Sequence, residues 1–141
     1  MRSLRKERVI LMNSRAIPIL CATCKWTGRA LSLLLLVFWG AFFVGHMQEW
    51  FLRSDGKYPP AWVFRQQVFH FLMLIGLAIM LRWDKLGTVV MVLATYFMFA
   101  LIPGHQWGGL GWELPFFNLA PVAFFALDWL LGRAARPAPA L

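Results

Sequence analysis

The chain has 141 residues, 60% of them hydrophobic and 14% charged, with 8 Trp, 13 Phe and a formal charge of +8. A soluble domain carries about a quarter charged residues because its surface faces water, so this composition excludes an ordinary soluble globule and a disordered chain and points to the bilayer as solvent. Nucleic-acid binding would need recognition motifs beside the positive charge, and none is present; basic residues flanking apolar spans are what the positive-inside rule expects.

Residues 1–28 read as a basic N-terminal segment. Val9, Ile10, Leu11, Met12, Ile17, Ile19 and Leu20 lie among basic residues, an arrangement suited to the inner leaflet, with Pro18 expected to interrupt any continuous helix. Cys21 and Cys24 form the only Cys-x-x-Cys. Lys25 and Arg29 nearby would favour a thiolate, but the pair precedes the first span on the predicted cytoplasmic side, where thiols stay reduced. Two thiols without a nearby His also cannot complete a tetrahedral zinc site. An inert pair is the favoured reading.

The first predicted span covers about residues 30–48, a stretch without Lys, Arg, Asp or Glu whose centre runs from Leu33 to Val44. About 20 apolar residues cross the hydrocarbon. A cleaved signal peptide is rejected, because its basic region would be far longer than the usual one. A second span, about 62–81, follows Pro59-Pro60 and carries Arg65 near its start. Only Arg82-Trp83-Asp84-Lys85 separates it from the third, about 86–102, so these two helices are expected to form an antiparallel hairpin. After Pro103 comes a Gly- and Trp-rich stretch to Glu113 that reads as an interfacial loop. The fourth span, about 114–131, has Pro115 in its first turn and Pro121 inside it, where a kink is expected. Residues 133–141 form a Pro- and Ala-rich tail. The expected architecture is all-α: an integral membrane four-helix bundle over residues 29–132, antiparallel. Eleven of the 14 basic residues fall on the side of the termini, so both termini are expected to be cytoplasmic.

Polar residues within spans are costly and mark functional candidates. His46 and Glu49 stand three apart at the outer end of the first span; Gln66, Gln67 and His70 lie in the outer half of the second. Tyr96, Asn118, His105 and Glu113 complete the outer set. The inner halves hold little beyond Ser32 and Thr88, too few stations for a self-sufficient channel or pump. His46, Glu49 and His70 are the candidate metal ligands, since imidazole and carboxylate suit zinc, copper or iron. The favoured alternative makes His46 and Glu49 interfacial and His70 a buried His satisfied across helices by Tyr96 or Gln66. A bis-His haem fits poorly, because His46 is near the surface and His70 deeper. Asp128 is expected to pair with Arg82, Lys85 or Arg133 at the membrane boundary. Seven of the Trp residues cluster at span ends as interfacial belts, and Trp39 alone lies inside a span. No phosphate loop, nucleophile elbow or zincin motif is present.

The segment from His70 through Gly76 to Arg82-Trp83-Asp84-Lys85-Leu86-Gly87 resembles a pattern in small bacterial four-helix membrane proteins classed as a domain of unknown function. In that pattern an early His leads into a basic-Trp-acidic turn and a Gly that opens the next helix. Phe42-Phe43-Val44-Gly45 and Pro121 are also similar, and the likeness covers about residues 29–132. The chain departs from the pattern at Val44, where an acid commonly stands, so no role of that acid carries over. A more distant likeness is to DoxX-type four-helix proteins, some linked to redox or thiol-stress complexes. The nearer family implies no known activity, cofactor or substrate.

The expected function is that of a structural or accessory component of the bacterial inner membrane, without catalysis or cofactor of its own. Its expected partners are the lipid bilayer and either another membrane protein or further copies of itself. The alternative is a redox-linked or metal-binding membrane protein that uses His46, Glu49 and His70.

Overall fold

A computed structural model describes the backbone of residues 2–53, 59–100 and 113–134, and side chains within these from residue 16 onward. Four α-helices account for nearly all of it: α1 (Arg2–Met47), α2 (Ala61–Met80), α3 (Asp84–Ala100) and α4 (Glu113–Ala134), with a π-helical turn over Gln48–Leu52 after α1. No strand occurs among the described residues. The predicted loop centre, including His105, and most of the tail lie outside them.

Helix α1 departs from the expectation at its N-terminal side. It runs without a break through Pro18 and past residue 29, where the charge pattern marks the start of the apolar span. A proline removes one backbone donor but keeps a helical φ, and the Pro18 side chain is exposed, so no packed neighbour stands against its ring. The helix is therefore continuous across residues 28 and 29.

The remaining ends follow local chemistry. Pro60 caps α2 in an extended conformation, and its carbonyl accepts the Val63 N–H at 2.9 Å. The turn between α2 and α3 satisfies its own backbone: Trp83 N–H donates to Ile79 O at 2.8 Å and Gly87 N–H to Trp83 O at 2.9 Å. Asp84 supplies a negative charge at the N-terminus of α3, where the helix dipole favours one. Pro121 is fully buried within α4, which is helical on both sides of it.

Three helices are long and apolar enough to cross a membrane: Ala16–Leu52 of the first, then α2 and α4. The described part of α3 has 17 residues, about 25 Å of helix against about 30 Å of hydrocarbon, and the predicted span continues beyond it to residue 102.

The helices meet along narrow stripes. Cys24, Gly28, Ser32, Leu35 and Trp39 are buried on α1 at steps of three and four, which is one helical face. Leu35 and Trp39 pack with Met73, Leu77 and Met80 of α2, Met91, Ala94 and Met98 of α3, and Phe125 of α4. At two glycines, backbone approaches backbone. A Cβ on Gly76 would stand 2.9 Å from Met91 N, and one on Gly87 would overlap the backbone of Met80. The outward faces are apolar as well: Leu34, Val37, Phe64, Val68, Phe116 and Leu130 are all exposed.

Candidate functional site: a buried polar seam on Trp39

Five polar residues are buried among these apolar helices: Ser32, Gln67, His70, Thr95 and Asn118. A polar group buried away from water needs an internal partner. Trp39 partners two of the five, Asn118 and His70. Its indole Nε1–H donates to Asn118 Oδ1 at 2.5 Å, joining α1 to α4. Asn118 is fully enclosed and points its Nδ2 at Met73 Sδ on α2, 3.7 Å away. The backbone carbonyl of Trp39 accepts from His70 Nε2 at 3.2 Å, joining α1 to α2. A carbonyl can only accept, which assigns the His70 ring proton to Nε2. The imidazole is held edge-on by Trp39 and Phe43, with ring centroids 5.5 and 5.3 Å away at nearly perpendicular planes.

The register of the helices explains this convergence. Trp39 ends the buried stripe of α1, while Asn118 begins the stripe Asn118, Pro121, Phe125 of α4. His70 and Met73 are consecutive members of the α2 stripe. Trp39, through its indole and its carbonyl, thus joins α1, α2 and α4. Below it, Ser32 Oγ–H donates to Gly28 O at 2.8 Å within α1. Gln67 Oε1 and Thr95 Oγ1 are buried without a hydrogen-bond partner among the described residues.

His70 is buried and satisfied across helices, but its partner is neither Tyr96 nor Gln66. Tyr96 is 65% exposed, because α3 buries positions 91, 94, 95, 98 and 99 and so turns position 96 outward. Gln66 is half-buried, and Gln67 is the glutamine on the inner stripe. His46 lies in the last turn of α1, its Nδ1 2.8 Å from Phe42 O and its ring against Trp50. Glu49 is exposed in the π-helical turn, and Glu113 is exposed at the start of α4. Among the described residues no three His, Cys, Asp or Glu side chains stand together as a metal-binding group. Cys21 and Cys24 are both free thiols; Cys24 is buried and Cys21 Sγ lies 3.8 Å from Asp128 O.

The ion pair expected at Asp128 forms at Asp84 instead. Lys25 Nζ and Arg29 Nη2, one turn apart on α1, each lie 3.4 Å from an Asp84 carboxylate oxygen. Asp84 sits in the turn that faces α1, whereas Asp128 is on α4 beside Cys21 and makes no ion pair among the described residues.

The partnership of Trp39 with Asn118 was not anticipated. Its signal in the sequence is that Trp39 is the one Trp inside a span and Asn118 the one Asn within the four spans. The hydrogen bonds of Trp39, His70 and Asn118 tie helices together, and none of these groups pairs a nucleophile with a base. Comparison with models of protein families, with curated proteins and with solved structures finds no match.

Proposed function

We propose that the chain is a multi-pass protein of a bacterial cytoplasmic membrane, an antiparallel four-helix bundle with both termini cytoplasmic, that serves as a structural or accessory component without catalysis of its own. The observation that carries this reading is the disposal of the polar groups. Trp39, His70 and Asn118 spend their hydrogen-bonding capacity on one another's helices, so the seam locks the bundle and leaves no polar file running along it. The outward faces supply the second support: only 17% of the apolar window of α1, and the same share of that of α4, is buried inside the protein. Lipid or a neighbouring membrane protein covers the rest.

The competing metal reading of His46, Glu49 and His70 is tested by metal analysis of the detergent-purified protein beside His46→Ala and His70→Ala. The accessory reading predicts substoichiometric metal in all three. Stoichiometric metal in the wild type that is lost in both variants would overturn it.

A further inference from the structure

Among the described residues, the end of the molecule that carries the α2–α3 turn holds more cations than carboxylates. Lys25, Arg29, Arg82, Lys85 and Arg133 share this end with two carboxylates, Asp84 and Asp128. Lys25 and Arg29 converge on Asp84, so one carboxylate balances two cations, and Arg29 Nε is left without an acceptor. Arg82 and Lys85 flank Asp84 in the turn, both exposed and neither in an ion pair among the described residues.

Three of these cations also lie over exposed indoles. Arg29 Cζ is 5.6 Å from the Trp26 ring, Arg82 Cζ is 6.0 Å from Trp83, and Arg133 Cζ is 5.0 Å from Trp129. At the opposite end the exposed Arg53 and Arg65 lie over no indole among the described residues, and Trp50 is occupied by His46. A guanidinium resting on an indole face keeps its in-plane N–H groups free, and that edge matches a phosphodiester in a fork geometry. Exposed indoles settle at headgroup depth, which brings the cations there.

We propose that this rim binds the phosphodiester headgroups of anionic phospholipid in preference to zwitterionic lipid. Arg82, Trp83 and Lys85 form its main contact, and Arg133 with Trp129 forms a second. The occupant is a lipid rather than a soluble phosphate compound because the indoles and the neighbouring exposed Leu86 and Leu130 offer apolar surface that an acyl chain covers and a free anion does not. The inference rests on the membrane reading proposed above.

The test reconstitutes the full chain into phosphatidylcholine vesicles containing a trace of acyl-chain spin-labelled phosphatidylglycerol or phosphatidylcholine, and reads the motionally restricted fraction of each. The wild type is expected to favour phosphatidylglycerol about threefold, a preference that shrinks with added salt. Arg82→Gln with Lys85→Gln is expected to bring the ratio close to one, and Arg133→Gln to lower it partway. Arg53→Gln with Arg65→Gln, at the opposite end, is expected to leave it unchanged. The restricted phosphatidylcholine signal reports that each variant is inserted and folded. Equal restriction of the two lipids by the wild type, or loss of preference in the opposite-end variant, overturns the proposal. So does abolition of the preference by inorganic phosphate or an acidic peptide at matched ionic strength, which would assign the rim to a soluble anion or a protein. No restricted component with either lipid overturns the membrane reading itself.

Discussion

Trp39 does two jobs at once: its indole N–H bonds Asn118 on α4, and its carbonyl accepts from His70 on α2. Removing either side-chain partner strands a buried polar group, and hydrogen bonds between membrane helices are worth about 0.6 kcal/mol on average and up to about 1.7. A double-mutant cycle of Trp39→Phe and Asn118→Ala, read by denaturant unfolding in detergent micelles, is therefore expected to give a favourable coupling of about 0.5–2 kcal/mol. Additive effects of the two substitutions would show that the bond contributes nothing. The carbonyl half of the arrangement survives Trp39→Phe, so the His70 contact remains while the indole contact goes.

Among the helices, the α2–α3 pair depends on backbone approach at Gly76 and Gly87. The atoms that a methyl group on Gly87 would strike belong to the Met80 backbone as well as its side chain, so relief requires the two helices to part. Gly87→Ala is expected to cost about 1–3 kcal/mol, as overpacking in a filled core does. Gly40→Ala is the control: nothing lies within 4 Å of its Cβ position, and it is expected to be neutral or stabilising. Equal stability of the two variants in the same unfolding assay would refute the close approach. The element boundaries were largely legible in the sequence. The apolar runs predicted at 62–81 and 114–131 lie within a few residues of α2 (Ala61–Met80) and α4 (Glu113–Ala134), because a long apolar run of fixed length reads directly as a helix able to span. The extension of α1 back to Arg2 was not, since hydropathy reports solvent preference and says nothing of a helix that continues through polar residues. Helix rotation was harder still. Whether Tyr96 or Thr95 faces inward, and whether Asp84 or Asp128 meets the cations of α1, depends on how neighbouring helices dock, and no local pattern encodes that.

Across the described residues, apolar side chains face outward as well as inward, around an apolar core that also encloses a few polar groups. Asn118, His70 and Ser32 lie inside, while Phe64, Leu34 and Phe116 face out. Such a surface suits an apolar environment, and in the proposed bilayer the cations gathered around Asp84 would mark the end that meets charged headgroups and water. In the proposed topology four helices cross the bilayer with both termini on the cytoplasmic side. Its most direct measurement is single-cysteine labelling in intact cells with a membrane-impermeant maleimide, in a background carrying Cys21→Ala and Cys24→Ala. Gly108→Cys is expected to be labelled from outside, and Ala138→Cys only after the cells are opened. Labelling of Ala138→Cys in intact cells, or protection of Gly108→Cys until they are opened, would contradict the topology.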